Sequence, residues 1–204
     1  REGRKRKSEK KLGNKRKHAE NGNGSVMWEP EWEIKHNFGL RKTSGVGSLM
    51  HYTDGSVDGE LGAWGMVTEG LEAWSGPAVF MGSPIAPVLP ELAAVFTILK
   101  RIMGTKEWEK LRHTIWTDNT QAAQLTMGLS SWKKGEEGYE MVKQTRDLFE
   151  KLQEDRVIMV KWCKGHSGIE GNQIADKAAG VQMAKMKQEK AEMEKRNKKN
   201  AEEE

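Results

Sequence analysis

Four carboxylates stand in sequence contexts that could give them chemistry. Asp54 closes the run Ser48-Leu49-Met50-His51-Tyr52-Thr53 and is followed by Gly55-Ser56. Glu91 opens the apolar run Pro90-Glu91-Leu92-Ala93-Ala94-Val95, and Asp118 follows Thr114-Ile115-Trp116-Thr117. Asp176 lies just past the loop Lys164-Gly165-His166-Ser167-Gly168-Ile169-Glu170-Gly171-Asn172. Four carboxylates brought together repel one another and take up protons unless cations sit between them. An all-oxygen ligand set favours Mg²⁺ or Mn²⁺ over zinc, and the chain offers no paired Cys/His zinc ligands. Two such ions about 3.5–4 Å apart clamp the attacking and leaving oxygens of an in-line phosphoryl displacement. The residue types therefore point to phosphodiester chemistry, provided that the four converge. Taken singly, each has a structural reading: Asp54 as a turn residue, Glu91 and Asp118 as helix N-terminal charges, Asp176 as a solvated helix residue.

Convergence depends on the elements that carry them. From Ser48 the pattern is one of short strands. The first reads as a strand ending on Asp54. Asp58-Gly59 is a hairpin signal and Glu69-Gly70 a second turn, so Leu61–Thr68 and Leu71–Phe80 form an antiparallel meander with the first strand. The Pro-rich loop from Gly82 to Pro87 is not helix interior, because proline lacks the amide donor. Pro90 suits a first helical turn, with Leu92, Val95, Phe96 and Leu99 at helical spacing. Arg112–Thr117 is a strand, Asn119 to Met127 a helix, Glu136 to Leu152 a helix, Arg156–Trp162 the last strand. A final helix runs from about Gly171. This order predicts an α/β fold: a five-stranded mixed sheet, its first three strands antiparallel, flanked by helices.

The 204 residues are 36% hydrophobic and 31% charged, with a mean hydropathy of −0.79, more polar than one compact domain requires. Residues 1–20 hold 10 Lys/Arg against 3 Asp/Glu, whereas residues 21–180 hold 17 against 21. The pI of about 9.0 thus comes from the N-terminal tail, and the slightly acidic body fits a site that concentrates carboxylates. We expect residues 1–24 to be a disordered basic tail, 25–46 an aromatic-containing linker, 47–181 the catalytic domain, and 182–204 a frayed, charged helical extension. Lys5-Arg6-Lys7 and Lys15-Arg16-Lys17 resemble a bipartite nuclear import signal or a phosphate-holding arm; the alternative is a solvated linker. Trp28 and Trp32 are expected to dock on the domain. The one cysteine, Cys163, excludes an internal disulfide and fits a reducing compartment. No apolar run approaches the roughly 20 residues of a membrane span, and no signal peptide pattern is present. The expected setting is intracellular and nuclear, without a membrane. The chain opens on Arg1, as a part of a longer polypeptide would.

The four carboxylates also sit in recognisable motifs. Tyr52-Thr53-Asp54-Gly55-Ser56, Pro90-Glu91-Leu92-Ala93-Ala94, Trp116-Thr117-Asp118-Asn119 and the segment from Gly165-His166-Ser167-Gly168 to Asp176 resemble, in order, those of type 1 ribonuclease H. The resemblance is strongest to the ribonuclease H domains of non-LTR retrotransposon polyproteins and their fungal relatives, and it covers roughly residues 47–181. It implies an endoribonuclease that cuts the RNA strand of an RNA–DNA hybrid with two Mg²⁺ ions, Mn²⁺ being a substitute, and leaves 5′-phosphate and 3′-hydroxyl ends. It further implies that Asp54 bridges both metals, that Asp176 helps hold the metal that activates water, and that Glu91 and Asp118 hold the metal beside the leaving oxygen. His166 would assist proton transfer or product release; by itself it reads as an exposed loop histidine. The implied partners are the hybrid and a fused or associated reverse transcriptase, with the domain a monomer.

Hybrid recognition calls for 2′-hydroxyl contacts on one strand and phosphate contacts on the other. Gly55 and Ser56 are the candidates for the RNA side. Thr120 stands where the family often has Gln. Trp132, Lys133 and Lys134 form an aromatic-basic cluster for the DNA strand, and Trp132 reads equally as a core aromatic. The chain departs from the family in three further places. Val88-Leu89-Pro90 replace polar residues before the Glu, only Gly128–Gly138 stands where bacterial members carry a long basic protrusion, and Cys163 replaces an apolar residue. The competing readings are a hybrid-binding module that does not cut, a nuclease of the wider superfamily, and a domain active only beside its polymerase.

Overall fold

In the computed structural model, residues 33–78, 80 and 84–202 are described, and the basic tail with Trp28 and Trp32 lies outside them. Among the described residues six strands form one sheet: β1 (Ile34–Gly39), β2 (Ser48–Asp58), β3 (Leu61–Thr68), β4 (Glu72–Pro77), β5 (Arg112–Thr117) and β6 (Ile158–Trp162). Their spatial order is β1-β4-β3-β2-β5-β6. The meander β2-β3-β4 is antiparallel, whereas β2-β5 and β5-β6 are parallel. The helices are α1 (Val88–Gly104), α2 (Thr120–Thr126), α3 (Tyr139–Gln153) and α4 (Glu170–Glu202), with one 3₁₀ turn at Lys106–Trp108.

The expected fold class holds, with six strands rather than five. The added strand β1 falls in the stretch read as a linker and pairs with the outer edge of β4. Its alternation of Ile34, His36 and Phe38 is short and interrupted by a histidine, whose Nε2 meets Ser75 Oγ at 2.9 Å on the neighbouring strand. A second correction concerns Asp54. The strand does not end there but runs on to Asp58, and the turn is made at Asp58-Gly59-Glu60, where Gly59 has φ +61°. Asp54-Gly55 resembles a turn signal, yet Gly55 is glycine for another reason. A Cβ there would lie 2.5 Å from the Glu91 backbone nitrogen, so α1 begins directly on the strand.

Helix α1 is buried on nearly every side, from Val88 to Leu99, because it lies between the sheet and α3. Leu92, Val95, Ile98, Leu99 and Ile102 share its core with Trp64, Ile115, Leu125, Phe149, Ile158 and Val160. On the opposite face α4 packs on β3, and Gly65 permits it: a Cβ at Gly65 would lie 2.2 Å from the Ala175 carbonyl oxygen. Beyond Met183 the helix has no buried residue, and it continues as one exposed rod across the expected boundary at residue 182. Lys187 pairs with Asp58 at 2.5 Å and Lys190 with Glu60, tying that rod to the β2–β3 hairpin. Among the described residues no helix is long and apolar enough to cross a membrane.

A candidate carboxylate metal site

The register of the parallel pair β2/β5 builds the site. Thr53 lies opposite Thr117, so the next residues, Asp54 and Asp118, emerge side by side on neighbouring strands. β5 ends at Thr117, while β2 continues for five residues past Thr53, to Asp58. The gap beside β2 admits the first turn of α1 from the other face, with Glu91 on it. Strand alternation puts Tyr52 and Asp54 on the face covered by α4, and Gly171 of α4 rests on the Tyr52 ring so closely that a Cβ would lie 2.3 Å from it. One turn further along α4 stands Asp176.

Asp54, Glu91 and Asp118 each offer a carboxylate oxygen within 4.8 Å of the others. Asp176, exposed on α4, lies near enough to Asp54 to raise its carboxyl and is outside that group of three. The four predicted carboxylates therefore assemble as a triad and a pair that share Asp54. Burial raises the Asp54 carboxyl to about 8, with Asp118 and Asp176 repelling its charged form. Burial also raises Glu91 well above the usual carboxylate range, with Asp54 and Asp118 adding repulsion. The Gly55 N–H opposes both shifts by donating to the carboxyls of Asp54 and Glu91. Glu91 Oε2 is buried and has no hydrogen-bond partner. An orphan oxygen in a cluster of repelling, oxygen-only donors is the environment a hard divalent cation would complete. The residues present therefore fit such an ion.

The comparisons with known proteins bear on what this site belongs to. The family model described as RNase H matches residues 47–185. The chain is a member of the RNase H family. A solved structure, the crystal structure of LC11-RNase H1 in complex with an RNA/DNA hybrid, is 14% identical, with a TM-score of 0.48 over 66% of this chain and 98% of that chain. No curated protein matches.

The remaining predicted residues of this RNase H domain lie outside the carboxylate group. His166 is exposed on the β6–α4 loop with φ 51°, a left-handed conformation unusual for a residue with a side chain. Ser56 is half-buried two residues past Asp54, on the same strand face. Thr120 is exposed at the first position of α2, which Asn119 caps by accepting from the Ala122 N–H at 2.9 Å. Trp132 packs on the core and its Nε1 donates to the Glu137 carbonyl at 2.8 Å, as a core aromatic does. Lys133 and Lys134 are exposed, Lys133 lying 3.8 Å from Glu136.

Three residues without an assigned role in the sequence reading hold Asp118. Asn172 Nδ2 donates to Asp118 Oδ2 at 3.1 Å, and the Trp162 indole donates to the Asp118 carbonyl at 2.9 Å. Gly165 lies so close that a Cβ would come within 2.6 Å of Oδ2. The signal for Asn172 was its place one helical turn before Asp176, which puts both on one helix end. Cys163 is the buried thiol expected, raised to about 11 by burial and by the carboxylates of Asp118 and Asp54.

Proposed function

We propose that this domain hydrolyses the RNA strand of RNA–DNA hybrids, leaving 5′-phosphate and 3′-hydroxyl ends, with two divalent cations held by the four carboxylates. The observation that carries the reading is the shared position of Asp54 between the Glu91/Asp118 oxygens and Asp176. Bound Mg²⁺ would supply the charge that makes water nucleophilic and steadies the leaving oxygen. Asp54 would serve both ions, Glu91 and Asp118 the one beside the leaving oxygen, and Asp176 the one on the water side. The burial of Asp54 and Glu91 keeps that part of the site dry enough for those charges to act at close range. His166, exposed on its loop, would carry a proton toward or away from the scissile phosphate. Gly55, Ser56 and Thr120 flank the carboxylates and would meet the RNA strand. Lys133 and Lys134, beside Trp132, would meet the phosphates of the DNA strand. The finer placement, a monomeric domain of a non-LTR retroelement polyprotein working beside a reverse transcriptase, rests on the motif resemblance, and its nuclear setting on the clusters Lys5-Arg6-Lys7 and Lys15-Arg16-Lys17.

The test is an end-labelled panel with Mg²⁺: hybrid, single-stranded RNA, duplex RNA and duplex DNA. The expected result is cleavage of RNA in the hybrid alone, with 3′-hydroxyl termini. Tight hybrid binding without cleavage under Mg²⁺ or Mn²⁺ would replace the reading by a binding module, and cleavage of duplex DNA would move the chain to another branch of nuclease chemistry.

A further inference from the structure

We propose that Asn172 is a positioning residue that fixes the plane of the Asp118 carboxylate, and that the Cys163 thiol fixes Asn172. The inference rests on the metal-site reading above and deepens it. Asp118 stands one residue beyond the end of β5, so the sheet ladder does not hold it, and it is only half-buried. Its side chain needs an orienting partner if it is to face Asp54 and Glu91 at ligand distance. Asn172 is that partner. It is 2% exposed, it lies in the first turn of α4, and its Nδ2 donates to Asp118 Oδ2 at 3.1 Å.

An amide has a donor end and an acceptor end, and a flip would exchange them. Here the flip is blocked. Asn172 Oδ1 faces Cys163 Sγ at 3.7 Å, where the thiol can donate, while a carboxylate oxygen can only accept. Turning the amide would set oxygen against oxygen at Asp118 and leave the thiol hydrogen against an NH₂. Gly165 closes the remaining side, with no room for a Cβ next to Oδ2, and Trp162 holds the Asp118 main chain. The same turn of α4 leads to Asp176. One helix end thus supplies a carboxylate to one half of the site and orients a carboxylate in the other. The apolar residue usual at position 163 in the resembling family could not set the amide; this chain's thiol can.

Partners of this kind, which touch a ligand rather than the metal, typically change metal affinity or activity by about 10–100-fold when removed. The experiment measures Mg²⁺ binding to the metal-free full chain by calorimetry, beside thermal melts and the Mg²⁺ dependence of hybrid cleavage. The variants are Asn172→Ala, Cys163→Val and Cys163→Ser. Asn172→Ala is expected to weaken Mg²⁺ binding by about 10-fold or more and to raise the half-saturating Mg²⁺ by the same factor, leaving the KM for hybrid at saturating Mg²⁺ in place. Cys163→Val is expected to move Mg²⁺ affinity the same way by a smaller factor, and Cys163→Ser, whose hydroxyl still donates, to recover it. A residue that only helped the fold would lower the melting temperature and leave the Mg²⁺ requirement alone; that result for a folded Asn172→Ala overturns the proposal. Should Asn172→Ala not fold, equal Mg²⁺ affinity in Cys163→Val and Cys163→Ser overturns it. If the wild type itself neither binds Mg²⁺ nor cuts hybrid, the metal-site reading falls and the proposal with it, whereas an active wild type with indifferent variants removes the proposal alone.

Discussion

Without a cation, Asp54 and Glu91 hold their protons far above the range of a solvated carboxylate, because burial and mutual repulsion penalise the charged forms. A folded-state pKa above the unfolded one means that the metal-free fold loses stability as pH rises from about 4 toward 8. Asp54→Asn removes that charge while keeping shape, so the metal-free variant should be more stable than wild type at pH 8, by about 1–3 kcal/mol. Chemical denaturation with EDTA checks this. Added Mg²⁺ should raise the melting temperature of wild type more than that of the variant. A second buried group titrates with the opposite sign. His51 Nδ1 accepts from Thr68 Oγ1 at 2.8 Å, its Nε2 donates to His113 Nδ1 at 3.0 Å, and His113 Nε2 donates to the Trp108 carbonyl at 3.0 Å. Every position on this chain is filled only when both rings are neutral, and burial beside His113 lowers His51 to about 3. The stability it contributes is fully present above about pH 6.5 and is lost as pH falls toward 3. Between pH 7 and pH 5 that contribution should change by about 2 kcal/mol, and His51→Gln should remove this part of the pH slope in urea melts.

At the scale of elements, glycines decide how close the helices come to the sheet. Gly55 lets α1 start on β2, and Gly65 lets Ala175 and Ala179 of α4 lie on β3. Because the atoms in the way are backbone, Gly65→Ala cannot be absorbed by a rotamer change and should cost about 3 kcal/mol, read from the urea midpoint. Gly165→Ala should leave stability closer to wild type but push the Asp118 carboxylate aside, reducing hybrid cleavage at least tenfold in a Mg²⁺ titration. Much of this architecture is legible in the sequence. Strands β3 and β5 lie where alternation and turn residues put them, and α2 begins at the Asn119 cap. Helix α3 starts at Tyr139 rather than Glu136 because Gly138, at φ +81°, stands before it. What the pattern hid was set by tertiary contact. Gly55 resembles a turn residue until the α1 backbone is placed beside it. β1 has too few alternating apolar residues to stand apart from a linker. The role of Asn172 exists only once α4 lies next to the end of β5.

For the molecule as a whole, the carboxylates were findable because each sits at a landmark: a strand, a helix start, a strand end, a helix after a glycine-rich loop. Their division into a triad and a pair sharing Asp54 was available only through the motif resemblance and not from the residue pattern, since it depends on where β5 stops relative to β2. The family match ends at residue 185, and the exposed part of α4 beyond it holds to the body through Lys187–Asp58 and Lys190–Glu60. Such surface pairs contribute little, so a chain ending at Ala184 should keep its melting transition within a few degrees of the full chain. The account stands most directly on one comparison: wild type and Asp54→Asn, each given an end-labelled RNA–DNA hybrid and Mg²⁺, with hybrid binding measured in parallel. Cleavage of the RNA strand by wild type, and its loss by more than about a thousandfold in a variant that still binds hybrid, is the predicted result. Comparable cleavage by the two would contradict the claim that the chemistry runs through the carboxylate both halves of the site share.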